Sequence, residues 1–220
     1  MKMSQSLKVN ALGIGIFAAI TAALIAITFV LTKAPIAENI RKQKSAKLFE
    51  IIGDTATDND IFAQTITLDG STFGYSNNIK AHLAMYKGEI KSIVFPVISP
   101  AGYSGNITLL VGVNADTSIA GVRVVTHTET PGLGDKLELK KSPWVLAFND
   151  LKKTPEQRWA VKKDGGDFDQ FTGATITPRA VVNAVGKTLD YVMLNRDTLF
   201  TYINNNTNTG TQTGSESNER

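Results

Sequence analysis

The chain has 220 residues with 23 basic against 20 acidic side chains, a formal net charge of +3. That balance is too even for a nucleic-acid footprint, and no basic run is interleaved with aromatics, which argues against nucleic acid as a partner. There is no cysteine, which excludes disulfides, thiolate-ligated iron–sulfur clusters and attached c-type haem, so a redox role would need an organic cofactor.

Between Lys8 and Lys33 lies an uncharged, almost wholly apolar stretch, Val9 to Thr32. At ~1.5 Å per residue its roughly 24 residues make a helix of ~36 Å, enough for a bilayer core of ~30 Å with some tilt. A transmembrane helix over 9–32 is therefore expected, after a short segment 1–8. The competing reading is a cleaved signal peptide, but its apolar region is usually about 7–15 residues, shorter than this run. Gly15, Ala19 and Ala23 share one helical face, which would let another membrane helix approach closely. Charge does not set the orientation: Lys2 and Lys8 lie on one side, and Lys33, Arg41, Lys42, Lys44 and Lys47 on the other. Pro35 is expected to open a second helix running to about Ile52, with Ile40, Leu48, Ile51 and Ile52 apolar and the cations solvated or near lipid headgroups.

From about Phe62 to Thr126 the pattern turns to strands. Ile79 to Tyr86 and Glu89 to Ile98 read as a hairpin across Lys87-Gly88, and Ile107 to Val113 and Ile119 to Thr126 as another. The sheet should be mainly antiparallel. Pro96 cannot donate to a ladder, so its strand is expected to end, bulge or lie at an edge there. Pro143, Trp144 and Leu146 suggest a short amphipathic turn, and Trp159-Ala160-Val161 a short strand before a Gly165-Gly166 turn; both tryptophans read as core residues. Thr177 followed by Pro178 is a helix start, with Thr177 as the cap. Val181, Val185, Leu189 and Val192, joined by Val182 and Met193, form its apolar stripe. That helix should fade by about Tyr202. The polar segment 204–220 cannot bury enough apolar surface to fold and is expected to be a disordered tail.

Thr175 stands just before this helix start, where free N–H donors and a partial positive charge would stabilise an anion, with Arg179 available as a full charge. On composition alone the same residues are an ordinary loop and cap. The order Asp169-Gln170-Phe171-Thr172-Gly173-Ala174-Thr175, however, resembles the flavinylation motif of proteins that carry FMN joined through its phosphate to a threonine. Two families carry it in this setting, the G subunit of the Rnf (or Rsx) electron transport complex and the C subunit of the sodium-translocating NADH:quinone reductase. The longer string from Gly165 to Val182 is similar to the Rnf G subunit. Two further segments, Ser99 to Gly105 and His127 to Gly134, resemble the flavin-pocket loops of the same families, in the same order along the chain.

The resemblance implies an α+β fold: an N-terminal transmembrane helix, then one FMN-binding domain over 33–203 with a mainly antiparallel sheet and flanking helices. It implies FMN in a phosphoester to Thr175, with Thr172, Gly173, Ala174, Tyr103, Ser104, Glu129, Thr130 and Leu133 around it. It also implies a redox subunit of an ion-translocating complex, one that does not catalyse a complete reaction alone. Its partners would be the other membrane and redox subunits and a separate flavin transferase. Residues 1–8 would be cytoplasmic, and the domain would face the periplasm from the bacterial inner membrane.

The pocket chemistry is coherent. Glycines let backbone N–H groups approach phosphate or the flavin edge, Tyr103 and Leu133 could cover the ring faces, and Thr128 or Thr130 could donate hydrogen bonds. Tyr103 and Leu133 read equally as packing residues, and Glu129 as a solvated loop carboxylate. Only two histidines, His82 and His127, accompany the missing cysteines, so no metal is expected. Ser104 lacks a Gly-x-Ser-x-Gly elbow, and no Gly-x-Gly-x-x-Gly unit or Walker loop is present, which sets aside hydrolysis and direct nicotinamide or ATP binding. The alternative function is a membrane-tethered binding or scaffold domain without a cofactor.

Overall fold

In the computed structural model the described residues are 2–53 and 57–201; the expected tail, 204–220, lies outside them. The chain divides into two units, Met1–Ser45 and Ala46–Arg220.

The first unit belongs to helix α1 (Lys2–Ile52). Within it Asn10–Ile36, 27 residues of mean hydropathy 2.6, is long and apolar enough to cross a membrane and buries none of its side chains in the protein. Its threonine hydroxyls are satisfied from inside: those of Thr21, Thr28 and Thr32 donate to carbonyls four residues back at 2.8–2.9 Å, which suits a helix in an apolar medium. Pro35 lies inside α1 and does not open a second helix. Its fixed φ is already helical, so the chain can continue, at the cost of one missing N–H and of crowding between the ring and the carbonyl four residues back.

The second unit is built on one sheet of five strands, β1 (Thr65–Leu68), β2 (Ile79–Tyr86), β3 (Glu89–Ser99), β4 (Ile107–Asn114) and β5 (Ile119–Thr126), ordered β1-β2-β3-β4-β5 and antiparallel throughout. Lys87 and Gly88 join β2 to β3 with positive φ at both positions (53° and 78°), the hand that matches strand twist in a two-residue hairpin. Pro96 does not end β3, which pairs with β4 through Ser99. The β2 ladder stops instead at Val94, two residues earlier. The flank lacking a donor is thus the one left unpaired.

Alternation along the strands loads both faces of the sheet. On one face Ile93, Phe95, Leu109, Val111 and Val122 join the main core, which α2 (Ile176–Leu194) and the 3-10 helix Pro143–Phe148 complete. Val181, Val185, Leu189 and Val192 of α2 are wholly buried, while Met193, expected in the same stripe, is 47% exposed. On the other face Ala84, Val94 and Leu110 meet Leu48, Ile51 and Ile52 from the end of α1. Gly112 and Gly121 sit opposite each other in the register, and a Cβ on Gly112 would come 2.3 Å from Ile51 Cγ2. The last turns of α1 therefore nest in a glycine-lined hollow. Arg123 fastens them through Glu50 at 2.9 Å, and Lys47 Nζ donates to the Val124 carbonyl at 2.7 Å.

The expected strand at Trp159-Ala160-Val161 is only a single bridge, Val161 to Phe168. Aromatic packing holds the segment instead: Trp159, Phe148 and Phe168 lie 4.9–6.4 Å apart between ring centroids. After α2 the chain breaks at Asn195 before a short helix α3 (Arg196–Thr201), so the C-terminal helix is not continuous to Tyr202.

Candidate functional site

Three loops meet at the N-terminal end of α2. Each has a local reason for its shape. Phe171 to Ala174 is a tight turn closed by Ala174 N–H to Phe171 O at 3.1 Å, with Gly173 at φ 82°, the position of a type II turn that glycine fills without strain. The turn is fixed from behind: Phe171 is buried against Trp144, 5.1 Å between centroids, and Trp144 Nε1–H donates to the Asp169 carbonyl at 2.8 Å. Thr130-Pro131-Gly132-Leu133 forms the same kind of turn, with Gly132 at φ 78° and Leu133 N–H bonded to Thr130 O at 3.2 Å. The third loop, Gly102 to Gly105, is stitched to the second by Thr128 Oγ1, which donates to Ser104 O at 2.7 Å.

Between them lies a cavity of about 250 Å³. Of the residues singled out from the sequence, Thr175, Gly173, Ala174, Tyr103, Glu129, Thr130 and Leu133 line it, together with Gly134, Ile176 and Thr177. Thr172 and Ser104 are not among the lining residues. Tyr103 (68% exposed) and Leu133 (43% exposed) form an open apolar rim and are not packing residues.

Thr175 occupies the N-cap position of α2, and its side chain makes no capping bond. The first N–H groups of the helix have no carbonyl within it to bond, so an acceptor brought to Thr175 would meet them. Thr177 is not the cap. It lies inside the first turn, fully buried, and its hydroxyl donates to Glu129 Oε2. Helix geometry starts two residues earlier than the Thr-Pro pair suggests, because Pro178 is tolerated anywhere in a first turn. Glu129 is not a solvated loop carboxylate either: it is 5% exposed, and its Oε1 accepts the Ser104 N–H at 3.0 Å. Arg179 is not an uncommitted charge. It grips Asp164 with two bonds of 2.6 and 2.8 Å, which raises its own pKa and lowers that of Asp164. Asp169 pairs with Lys162 at 2.6 Å on the surface.

Gly134 and Ile176 fall inside the segments that carry the resemblance without being singled out in them, and the Glu129–Thr177 bond does not stand out in the sequence. Glycine within Leu133-Gly134 is the only local signal, since a bond across 48 positions leaves no periodic trace. His127 joins this network: its Nδ1 accepts the Glu129 N–H at 3.1 Å, and its Nε2 lies 2.9 Å from Glu138 Oε1.

These loops and the helix start fall within residues 102–190, which match the family model described as an FMN-binding domain. Residues 1–51 match a second model, the RnfG N-terminal region. The chain is 41% identical over 199 residues to the G subunit of the ion-translocating oxidoreductase complex of Vibrio atlanticus, covering 90% of this chain and 95% of the relative. It is 44% identical over 197 residues to the protein of the same name in Shewanella amazonensis, covering 88% and 92%. With that of Pseudomonas aeruginosa the identity is 44% over 198 residues, covering 89% and 92%. The chain belongs to this family, the G subunits of ion-translocating oxidoreductase complexes.

Proposed function

We propose that this protein is the flavin-carrying electron-transfer subunit of a membrane-bound, ion-translocating complex, and that it holds FMN through a phosphoester to Thr175. The observation that carries the reading is the position of Thr175: at the N-cap of α2, lining the cavity, with a hydroxyl that does no capping. A phosphate on that oxygen would meet the unpaired N–H groups and positive end of the helix. The cavity fits one end of such a cofactor. At about 250 Å³ it is smaller than the ~300–1,000 Å³ of pockets that enclose a whole drug-sized ligand. The phosphate end would be held among Gly173, Ala174, Thr175 and Gly134, and the ring would have the exposed Tyr103 and Leu133 for apolar cover.

Bound there, the flavin supplies the accepting and passing on of electrons. The chain's residues supply attachment, placement and a partly dry wall. Making the ester requires an activated flavin donor, a phosphoric anhydride. The Thr175 oxygen bonds to the flavin's phosphorus, the anhydride P–O bond breaks, the displaced phosphate group leaves, and the hydroxyl proton passes to base. That donor and the base belong to a separate flavin transferase. The domain would face the periplasm, α1 would anchor it in the inner membrane as a single span, and the remaining membrane and redox subunits would be its partners.

Intact mass after expression with and without a flavin transferase tests this. The expected gain is one FMN less one water, mapped to the peptide carrying Thr175 and fluorescent on a denaturing gel. An unmodified chain in both cases would favour a scaffold domain without a cofactor, and a flavin on Thr172 or Thr177 would refute the assignment. Alkaline carbonate should leave the full chain in the membrane, and alkaline phosphatase fused after Asn204 should be active.

A further inference from the structure

We propose that Glu129 and Thr177 form a latch that positions Thr175 for flavin attachment, an inference that rests on Thr175 being the acceptor. Each oxygen of the Glu129 carboxylate is committed to a different part of the chain. Oε1 accepts the N–H of Ser104, next to the rim residue Tyr103, and Oε2 accepts the hydroxyl of Thr177, two residues past Thr175. One side chain therefore ties the loop before β4 to the first turn of α2. The Glu129 backbone is itself held, its N–H bonded to His127 Nδ1.

Glycines approach the carboxylate closely on two sides. A Cβ on Gly102 would lie 2.8 Å from Oε1; one on Gly134 would lie 2.8 Å from Oε2 and 3.0 Å from Thr177 Oγ1. Glycine is needed on both flanks for close approach, not only for turn geometry. A buried carboxylate is tolerated only when its oxygens are hydrogen-bonded, so loosening one partner disturbs the other. With one oxygen held by the Ser104 loop and the other by the first turn of α2, Glu129 acts as a strut between them. What the strut fixes is the spacing between the helix start and the rim. Group transfer is sensitive to that spacing, since a misplacement of ~1 Å can cost about a hundredfold in rate.

The test is the initial rate of flavin attachment to the full-length apo chain in detergent, with a flavin transferase and an activated flavin dinucleotide as donor, read by in-gel fluorescence. Thr177→Val keeps the shape and removes the donor, while Thr177→Ser keeps the donor and removes the methyl. Thr177→Val and Glu129→Ala are expected to slow attachment about tenfold or more, and the pair combined to slow it no further than either alone. Thr177→Ser should restore most of the rate. Glu129→Gln should run well above Glu129→Ala, because its carbonyl can accept from Ser104 while its NH₂ donates to Thr177.

A wild-type rate in Thr177→Val overturns the latch, as does multiplicative slowing in the double variant. So does a Glu129→Gln protein as slow as Glu129→Ala, which would assign the effect to charge. Should Thr177→Val melt below the assay temperature, Thr177→Cys, a weaker donor of similar size, takes its place. Its rate is expected between those of Ser and Val, and equality with Ser overturns the latch. An unlabelled wild type or a fluorescent Thr175→Ala protein would instead refute the acceptor assignment, a separate result.

Discussion

Thr175 and Thr177 sit two residues apart on the same helix start, and replacing each by alanine should have very different effects on stability. A threonine that caps a helix is worth ~0.5–2 kcal/mol, but the Thr175 side chain makes no capping bond. Thr175→Ala should therefore cost less than ~0.5 kcal/mol and abolish the covalent flavin. Thr177→Ala removes a buried donor to a buried carboxylate. A hydrogen bond to a charged group is worth ~1.5–3 kcal/mol, and the lost methyl adds ~0.8 kcal/mol. The total of about 2–4 kcal/mol, at ~2–4 °C per kcal/mol for a domain of this size, predicts a melting point lower by roughly 5–15 °C. Thermal melts of both full-length apo variants in detergent, with in-gel fluorescence after attachment, check the pair. A larger melting-point drop in Thr175→Ala than in Thr177→Ala would refute the assignment of cap and latch.

At the other face of the sheet, Gly112→Ala should destabilise by ~1–3 kcal/mol through overpacking against Ile51. Gly121→Ala, whose Cβ would sit 3.3 Å from Ile51 Cα, should cost less; the reverse order in thermal melts would contradict the nesting of α1. Arg179→Gln should retain covalent flavin on a denaturing gel, because the guanidinium is held on Asp164; loss of the flavin would show that it turns to the phosphate instead. Asp116 has its pKa lowered to about 2, first by the hydrogen bond from Lys152 and then by that from Ser118. A depressed carboxyl stabilises the fold above its unfolded pKa and loses that contribution as pH falls, here between about pH 4 and 2. Since its side chain is 58% exposed, the gain is screened to ~1 kcal/mol or less. Acid unfolding of Asp116→Asn should accordingly lose a small part of its pH dependence in that window, and an unchanged acid profile would count against the pairing.

Much of the architecture is legible in the chain because it is written in local periodicity. The apolar run after Lys8, the hairpin across Lys87-Gly88, the strand Ile119–Thr126 and the stripe Val181, Val185, Leu189, Val192 each follow from side-chain spacing or turn chemistry. Order along the chain also singles out Thr175 as a candidate, since the motif around it is contiguous, and the fold brings that residue to the cavity. What only the tertiary structure decided depends on partners far apart in sequence. Thr177 reads as a cap beside Pro178 and becomes a latch because Glu129, 48 positions away, arrives in the fold. Arg179 reads as an uncommitted charge and is spent on Asp164, 15 positions back. Gly112 and Gly121 carry no signal of their own in the strands that hold them, and in the fold they make the hollow that receives Ile51. Local sequence sets backbone preference and which face is apolar. Which buried donor meets which acceptor is settled only when the sheet and helices close around them, because a buried polar group must take whatever partner that closure brings within reach.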